Sequence, residues 1–416
     1  MKHISLFFSI MVLLTSCSLT PEDSSIPDES VDEMHNNTGF TQENELHTDE
    51  IEMASIDEYS ENSTGFIETV EAKNIPLYRF PEESKPHEGT WLQWPHEHQY
   101  GKTFRDRLDP TWVSTTEALI TSEQVHIIAY DEWEKSRIIK LLENANIPLT
   151  RIDFTIAETD DFWVRDNGPI FVRDRHDRLV IQDWGFNWWG EKAESNKCDI
   201  IPAKIAKNQK RKFVNLNHLM INEWGAVELD GRGTLLATRS AILNKNRNPG
   251  MTTKRANFIF HKYLGASNVI WLDGVPGLDI TDMHIDGFAR FANDHTIITM
   301  DHDDLIDWQV SESDITKLYG AKDVNGKWYK IVTLPLTENN ITTTYGKILD
   351  YPWSYVNYYI ANSVVLVPNY GDPNDQLANQ IISDLYPDRK VIGIDARNLY
   401  ANGGMIHCIT QQQPKE

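Results

Sequence analysis

Cysteine is scarce in this chain: its 416 residues include only Cys17, Cys198 and Cys408. A bridge between Cys198 and Cys408 is open to an exported protein, but two cysteines are a poor framework for a domain of this size. A free thiol that persists in an oxidising compartment calls for a chemical reason. Long apolar runs are absent beyond the N-terminus, so no interior segment reads as a membrane span. The HExxH and CxxC patterns of common zinc sites are missing too, and no metal is expected. Positive charge is in short supply. Lys and Arg number 39 against 62 Asp and Glu, a formal charge of −23, which argues against nucleic acid as a partner. Apolar material is plentiful: hydrophobic residues make up 40% of the chain, with 13 Trp, 15 Tyr and 15 Phe, enough for a sizeable core.

Met1-Lys2-His3 is weakly basic and Ile4 to Leu14 almost wholly apolar, the length of a signal-peptide core rather than of a membrane anchor. Leu14-Thr15-Ser16-Cys17 follows and looks like a bacterial lipobox. On that reading residues 1–17 are a lipoprotein signal and Cys17 is lipidated. The protein is then exported and held at a membrane of the cell envelope by acyl chains alone. The alternative is an ordinary secretory signal that happens to contain a cysteine. Residues 18–63 hold 14 Asp and Glu and no Lys or Arg. Such a segment buries too little apolar surface to offset its ordering entropy, and it is expected to be a disordered acidic tether. From Thr64 onward 48 acidic residues face 38 basic ones, a balance of −10. Residues 64–416 are expected to form one catalytic domain whose field favours small cations.

Within that domain strand-like and helix-like patterns alternate. Gln124–Ile128, Thr234–Thr238, Asn268–Leu272, Thr296–Met300, Ser363–Pro368 and Lys390–Ile394 read as strands. Pro169–Val172 and Leu179–Gln182 flank a polar turn and read as a hairpin. Asp131–Asn144 reads as a helix, and so does Asn374–Leu385, introduced by Asp372-Pro373. The alternation predicts an α/β fold.

Four short segments carry candidate chemistry. Gly403 and Gly404, which let backbone approach a ligand, precede Cys408 in a stretch that reads as a strand end. A lone cysteine is often a buried structural residue, yet as a thiolate it is a strong nucleophile. His284 and Asp286, two apart, share one face if the segment is extended. They suit general acid/base work; the alternatives are a pair on a polar sheet face or, more weakly, two ligands of a metal site. Asp166, in Trp163-Val-Arg-Asp-Asn-Gly-Pro169, is expected at a strand-to-loop corner with Trp163 as an aromatic wall, or in a surface pair with Arg165. Glu223 opens Glu-Trp-Gly-Ala-Val-Glu228. Together these groups suit a guanidinium, a planar cation with a pKa above about 12. Two carboxylates hold its N–H groups, a thiolate attacks its carbon, and a histidine protonates the departing nitrogen.

At these residues the chain resembles the agmatine deiminase family, related to bacterial peptidylarginine deiminases. The resemblance runs from about Phe80 to Pro414. It includes Glu88-Gly-Thr-Trp-Leu-Gln-Trp-Pro-His96, Trp-Val-Arg-Asp-Asn-Gly-Pro, Trp184-Gly-Phe-Asn-Trp-Trp-Gly190, Asp230-Gly-Arg-Gly-Thr234, Asn246-Arg-Asn-Pro-Gly250, His284-Ile-Asp286 and Gly-Gly-Met-Ile-His-Cys408-Ile-Thr-Gln-Gln. It implies a five-fold pseudosymmetric α/β-propeller, the pentein fold, and no metal or organic cofactor. It also implies roles: Cys408 as nucleophile, His284 as acid and then base, Asp166 and Asp286 as the guanidinium clamp, Glu223 orienting the histidine, and Trp163 against the substrate. Two positions depart from the family pattern. Trp224 and Met283 stand where glycine is usual, and both are expected to add bulk near the pocket.

Three functions follow in order. The first is hydrolysis of agmatine to N-carbamoylputrescine and ammonia, a step towards putrescine and polyamines. The second is a protein- or peptide-arginine deiminase producing citrulline, which the export signal favours. Residues 184–190 offer no arginine for a substrate carboxylate. The third is a surface lipoprotein that binds cationic ligands without turning them over.

Overall fold

The apolar runs of the sequence become buried strands, and the amphipathic segments between them become the crossovers that parallel pairing requires. The computed structural model describes residues 75–192, 196–349, 351 and 353–416. The lipobox at Cys17, the acidic tether over 18–63 and the first residues of the expected catalytic domain lie outside the described residues. Pro76–Glu416 forms one compact unit.

The described strands form five sheets of three or four strands and one two-stranded ribbon. Each of the five sheets joins an antiparallel pair to a parallel pair. Ile170–Asp174 and Leu179–Asp183 run antiparallel, and Phe213–Asn215 adds to the second in parallel. Val227–Leu229, Thr234–Thr238 and Asn268–Leu272 repeat the pattern. So do Arg290–Asn293, Thr296–Met300 and Lys330–Leu334, and Tyr359–Ile360, Val364–Asn369 and Lys390–Asp395. In the fifth sheet the last strand of the chain, Gln411–Pro414, runs antiparallel to the early strand His87–Gln93, which pairs in parallel with Gln124–Ala129. The two ends of the unit are thereby stitched together.

Every parallel pair is bridged by helix. Lys102–Leu119 links His87–Gln93 to Gln124–Ala129, and Thr253–Leu264 links Thr234–Thr238 to Asn268–Leu272. Capping fixes where several begin: Asp131 accepts from the Glu134 amide at 2.8 Å and Thr252 from that of Arg255 at 3.2 Å, satisfying otherwise orphaned N–H groups. The core is rich in large rings. Trp91, Trp94, Trp112 and Trp353 are almost fully buried, and truncating such a ring costs about 3–5 kcal/mol.

The expected strands and both helices form, with ends shifted by one or two residues. Three local expectations fail. Cys408 lies on a 3₁₀ turn, His407–Ile409, and the strand begins only at Gln411. Met405, Ile406 and Ile409 are all buried, which a turn allows and strand alternation does not. His284 immediately precedes a second 3₁₀ turn, Ile285–Gly287. Asp282 and Met283 ahead of it take left-handed φ values of 61° and 71°, so the segment is not extended. Asp166 sits on a single helical turn, Val164–Asn167, rather than at a corner following a strand.

Candidate active site

The same architectural position recurs in all five sheets. Each antiparallel pair is entered through a short connection, a single helical or 3₁₀ turn in four of the five, and each connection delivers a polar side chain. Asp166 precedes Ile170–Asp174, Glu223 precedes Val227–Leu229, and His284 with Asp286 precede Arg290–Asn293. Asn357 precedes Tyr359–Ile360, and Cys408 precedes Gln411–Pro414. Residues far apart in the chain thus reach one small space.

Gly225 measures that space. A Cβ there would lie 2.6 Å from His284 Nδ1, 3.0 Å from Asp166 Oδ1 and 3.2 Å from Asp286 Oδ2. The imidazole is held from both sides. Its Nε2 is 3.3 Å from Glu223 Oε2, and its Nδ1 is 3.8 Å from Asp166 Oδ1. Asp166 accepts from the Gly225 amide at 3.1 Å and from Trp189 Nε1 at 2.8 Å. Glu223, fully buried, takes Arg247 Nε across both oxygens at 2.8 Å each, and Arg247 Nη1 reaches Asp282 Oδ2 at 2.6 Å.

Cys408 is partly buried and free, and Cys198 is buried and free. The Cys408 thiol donates to Asn357 Oδ1 at 3.5 Å. Asn357 also accepts the His407 amide at 3.0 Å and donates to the Asp286 carbonyl at 3.2 Å, so it braces the thiol turn against the Asp286 turn. Trp163 packs against the backbone of the same loop: a Cβ on Gly404 would be 2.3 Å from its ring.

The charges act on one another strongly. Burial, then Asp286 and Asp166, push the Cys408 thiol well above its ordinary pKa. Burial also raises Asp166, Asp286 and Glu223 add to the rise, and His284 opposes it. Burial works against the His284 imidazolium, but Asp166, Glu223 and Asp286 outweigh it and lift the pKa to about 9. Asp286 and Glu223 go the other way. Burial opposes their ionisation, yet His407 holds the Asp286 carboxyl low, and His284 with Arg247 does so for Glu223. A cation at the centre of this space would meet two carboxylates, and a thiol beside it would then gain a positive neighbour.

The sequence reading named Cys408, His284, Asp286, Asp166, Glu223 and Trp163, and the structure gathers all six. The surface pairing of Arg165 with Asp166 does not occur. Arg165 is 1% exposed and faces away from the pocket, onto Gln412, Glu83 and the His407 carbonyl. Trp224 does not fill the pocket either. Its ring packs on Phe80 and Trp184, with centroids 4.9 and 6.4 Å away. Met283 joins the hydrophobic core. Arg247, Asn357, Trp189, Glu83 and His407 were missed. Arg247, Trp189 and His407 lie inside the quoted family segments, whereas Asn357 and Glu83 carry no local signal.

The sequence profile of the Porphyromonas-type peptidyl-arginine deiminases matches residues 79–414. A Streptomyces coelicolor protein named "Putative agmatine deiminase" is 34% identical over 350 residues, covering 81% of this chain and 99% of its own. The solved agmatine deiminase of Enterococcus faecalis superposes with a TM-score of 0.71 at 25% identity, over 86% of this chain and 100% of that one. A C. jejuni agmatine deiminase with a cysteine-to-serine substitution, solved with substrate bound, shares the fold at a TM-score of 0.69 and 24% identity, over 82% of this chain and 97% of that one.

Proposed function

Because this chain belongs to the family of Porphyromonas-type peptidyl-arginine deiminases, we propose that it is a cysteine-dependent deiminase of agmatine, releasing N-carbamoylputrescine and ammonia. Hydrolysis of guanidino C–N bonds is the enzyme class; the cysteine and the substrate are our reading. The observation that carries it is the convergence at Gly225 of His284, Asp166 and Asp286 within 3.2 Å of one point. We read the five sheets as the blades of a propeller with this site at its axis.

Asp166 and Asp286 accept the guanidinium N–H groups in forked hydrogen bonds. Without substrate, burial and then those same carboxylates push the Cys408 thiol well above its ordinary pKa. A bound guanidinium offsets part of their negative charge. A unit cation about 4 Å from a thiolate contributes about 4 kcal/mol at an effective dielectric near 20, so substrate itself favours the nucleophile. The thiolate then attacks the guanidinium carbon and forms a C–S bond. The imidazolium of His284 gives its proton to a departing nitrogen, the C–N bond breaks and ammonia leaves. An amidino-thioether remains. Neutral His284 next removes a proton from water, hydroxide adds to the same carbon, and the C–S bond breaks to regenerate the thiolate while the hydroxyl proton leaves to solvent, giving the neutral ureido product. Glu223, held by Arg247, keeps the ring aimed through both halves.

Agmatine is ranked first because the similar proteins carry that name and because residues 184–190 contain no arginine to meet a carboxylate. Peptidyl-arginine is the second reading, on the family's name and the export signal. Binding without turnover loses its main support, since the Trp224 ring points into the aromatic core. The test assays the purified full chain in detergent for ammonia and ureido product with agmatine, free arginine and arginine peptides. Agmatine should react fastest, and Cys408→Ala should lose at least about 10⁴-fold in kcat. No product from any guanidine would sink the enzymatic reading; peptide turnover with agmatine silent would reverse the ranking.

A further inference from the structure

The chemistry above leaves a cluster of buried charge beneath the pocket unused. His407, one residue before Cys408, is 2% exposed. Its Nδ1 lies 2.7 Å from Asp286 Oδ2 and its Nε2 2.8 Å from Glu83 Oε2. The ring is therefore held from both sides by buried carboxylates. Arg290 reaches Glu228 Oε1 at 2.7 Å through Nε and Glu83 Oε2 at 3.0 Å through Nη2. Arg165 Nη2 is 3.4 Å from Glu83 Oε2. Asp286, Glu83 and Glu228 thus bring three buried negative charges, and Arg290 and Arg165 two positive ones. A buried carboxylate left without hydrogen bonds is costly, and the two ring nitrogens of His407 reach two of these three.

The same ring connects two turns. His407 shares its 3₁₀ turn with the nucleophile, and Asp286 sits on the turn that also carries the acid/base histidine. Each can shift only if this short hydrogen bond breaks.

We propose that His407 is a positioning residue: its buried ring holds Asp286 through Oδ2 and Glu83 through Oε2, and so ties the cation clamp to the nucleophile turn. The assignment rests on the deiminase reading for its catalytic consequence, and on the two hydrogen bonds alone for its geometry. Asp286 is also faced by His284, Arg290, Asp166 and Cys408. His407 is faced by Glu83 and, at 4.0 Å, by Glu228. Any shift of the Asp286 titration is therefore read against the wild type with all of these in place.

Two substitutions separate positioning from bulk structure. His407→Asn places an N–H near the former Nδ1 and keeps a donor to Asp286. His407→Gln places one near the former Nε2, keeping Glu83 and abandoning Asp286. With agmatine, His407→Gln should lose about 30-fold in kcat/KM, the scale of one hydrogen bond to a charged group. The loss should fall mainly on KM. The acid limb of its profile should move to higher pH, since Asp286 then ionises less readily. His407→Asn should recover most of the activity. Equal losses in both variants with an unmoved acid limb would overturn the proposal. A fold-independent arm uses ¹⁵N-histidine spectra of the wild type at pH 8. A slowly exchanging His407 Nδ1–H, assigned by its disappearance in His407→Gln, is expected, and no protected Nδ1–H on that ring would overturn it. That arm needs no turnover, so it still decides the matter if no guanidine proves to be a substrate.

Discussion

Glu223 and Gly225 act on the same imidazole in opposite senses, one by charge and one by leaving room. The His284 pKa of about 9 depends on its carboxylate neighbours, against the cost of burial. Because this folded value lies above the unfolded one of about 6.5, the ring's contribution to stability is complete below about pH 6.5 and is lost as pH rises through about 9. Catalysis should follow, since the first proton transfer needs the imidazolium. Glu223→Gln removes one of the groups that raise the pKa, so the alkaline limb of kcat/KM should move to lower pH. A pH–rate profile superimposable on wild type would remove Glu223 from its orienting role. Gly225→Ala tests the space itself. Its Cβ would be 2.6 Å from His284 Nδ1, closer than side-chain atoms pack, so the ring or the Asp166 carboxylate must shift. A displacement of about 1 Å can cost about 100-fold. Steady-state kinetics on Gly225→Ala with an unchanged circular dichroism spectrum should show a loss of that order, and near-native activity would mean the three groups are not held where they are seen.

Turns, rather than strands or helices, carry the site, and this decides what could be read ahead of folding. The elements that were legible are those with a strong period. Asn374–Leu385 forms a helix over the very residues expected of it, and Thr234–Thr238 forms a strand over the very residues expected of it, buried throughout as a strand covered on both faces is. The turns have no period. Cys408, His284 and Asp166 were found by residue type and by family resemblance, and their local conformations were misread. Arg247 and Asn357 are polar residues in irregular backbone whose partners lie 24 and 51 positions away; only the tertiary fold brings them together. Asn357 is the clearest case. Counting one polar contribution per sheet makes it the fourth sheet's share, placed against the fifth sheet's thiol and the third sheet's Asp286. Asn357→Ala removes the Sγ acceptor and both braces between the turns. It should lower kcat about tenfold or more, at about 1 kcal/mol for each neutral hydrogen bond lost, while a Cys408-directed alkylating agent reacts at an altered rate. Unchanged kcat would make Asn357 a passive core residue.

At the scale of the whole chain, charge is divided unevenly: 14 of its 62 acidic residues fall within residues 18–63 and no basic ones do. This bears on how the protein would be held at a membrane. A single acyl chain gives only marginal, reversible binding, on the order of 10⁴ M⁻¹, and stable attachment needs either more chains or a basic patch facing anionic lipid. Next to Cys17 the sequence offers acid instead of base, so electrostatics opposes attachment and the acyl chains must supply all of it. We propose that they do, through Cys17. The full chain expressed in a bacterial host should then sediment with membranes, stay there through a high-salt wash that would strip a basic-patch binder, and enter the detergent phase on phase separation. Cys17→Ser should abolish that partitioning. Its kcat on agmatine should stay within about twofold of the parent, because every residue of the proposed chemistry lies within Pro76–Glu416. Identical partitioning of the two forms would rule out the lipid, and release by salt alone would point to a basic surface on the folded unit as the true tether.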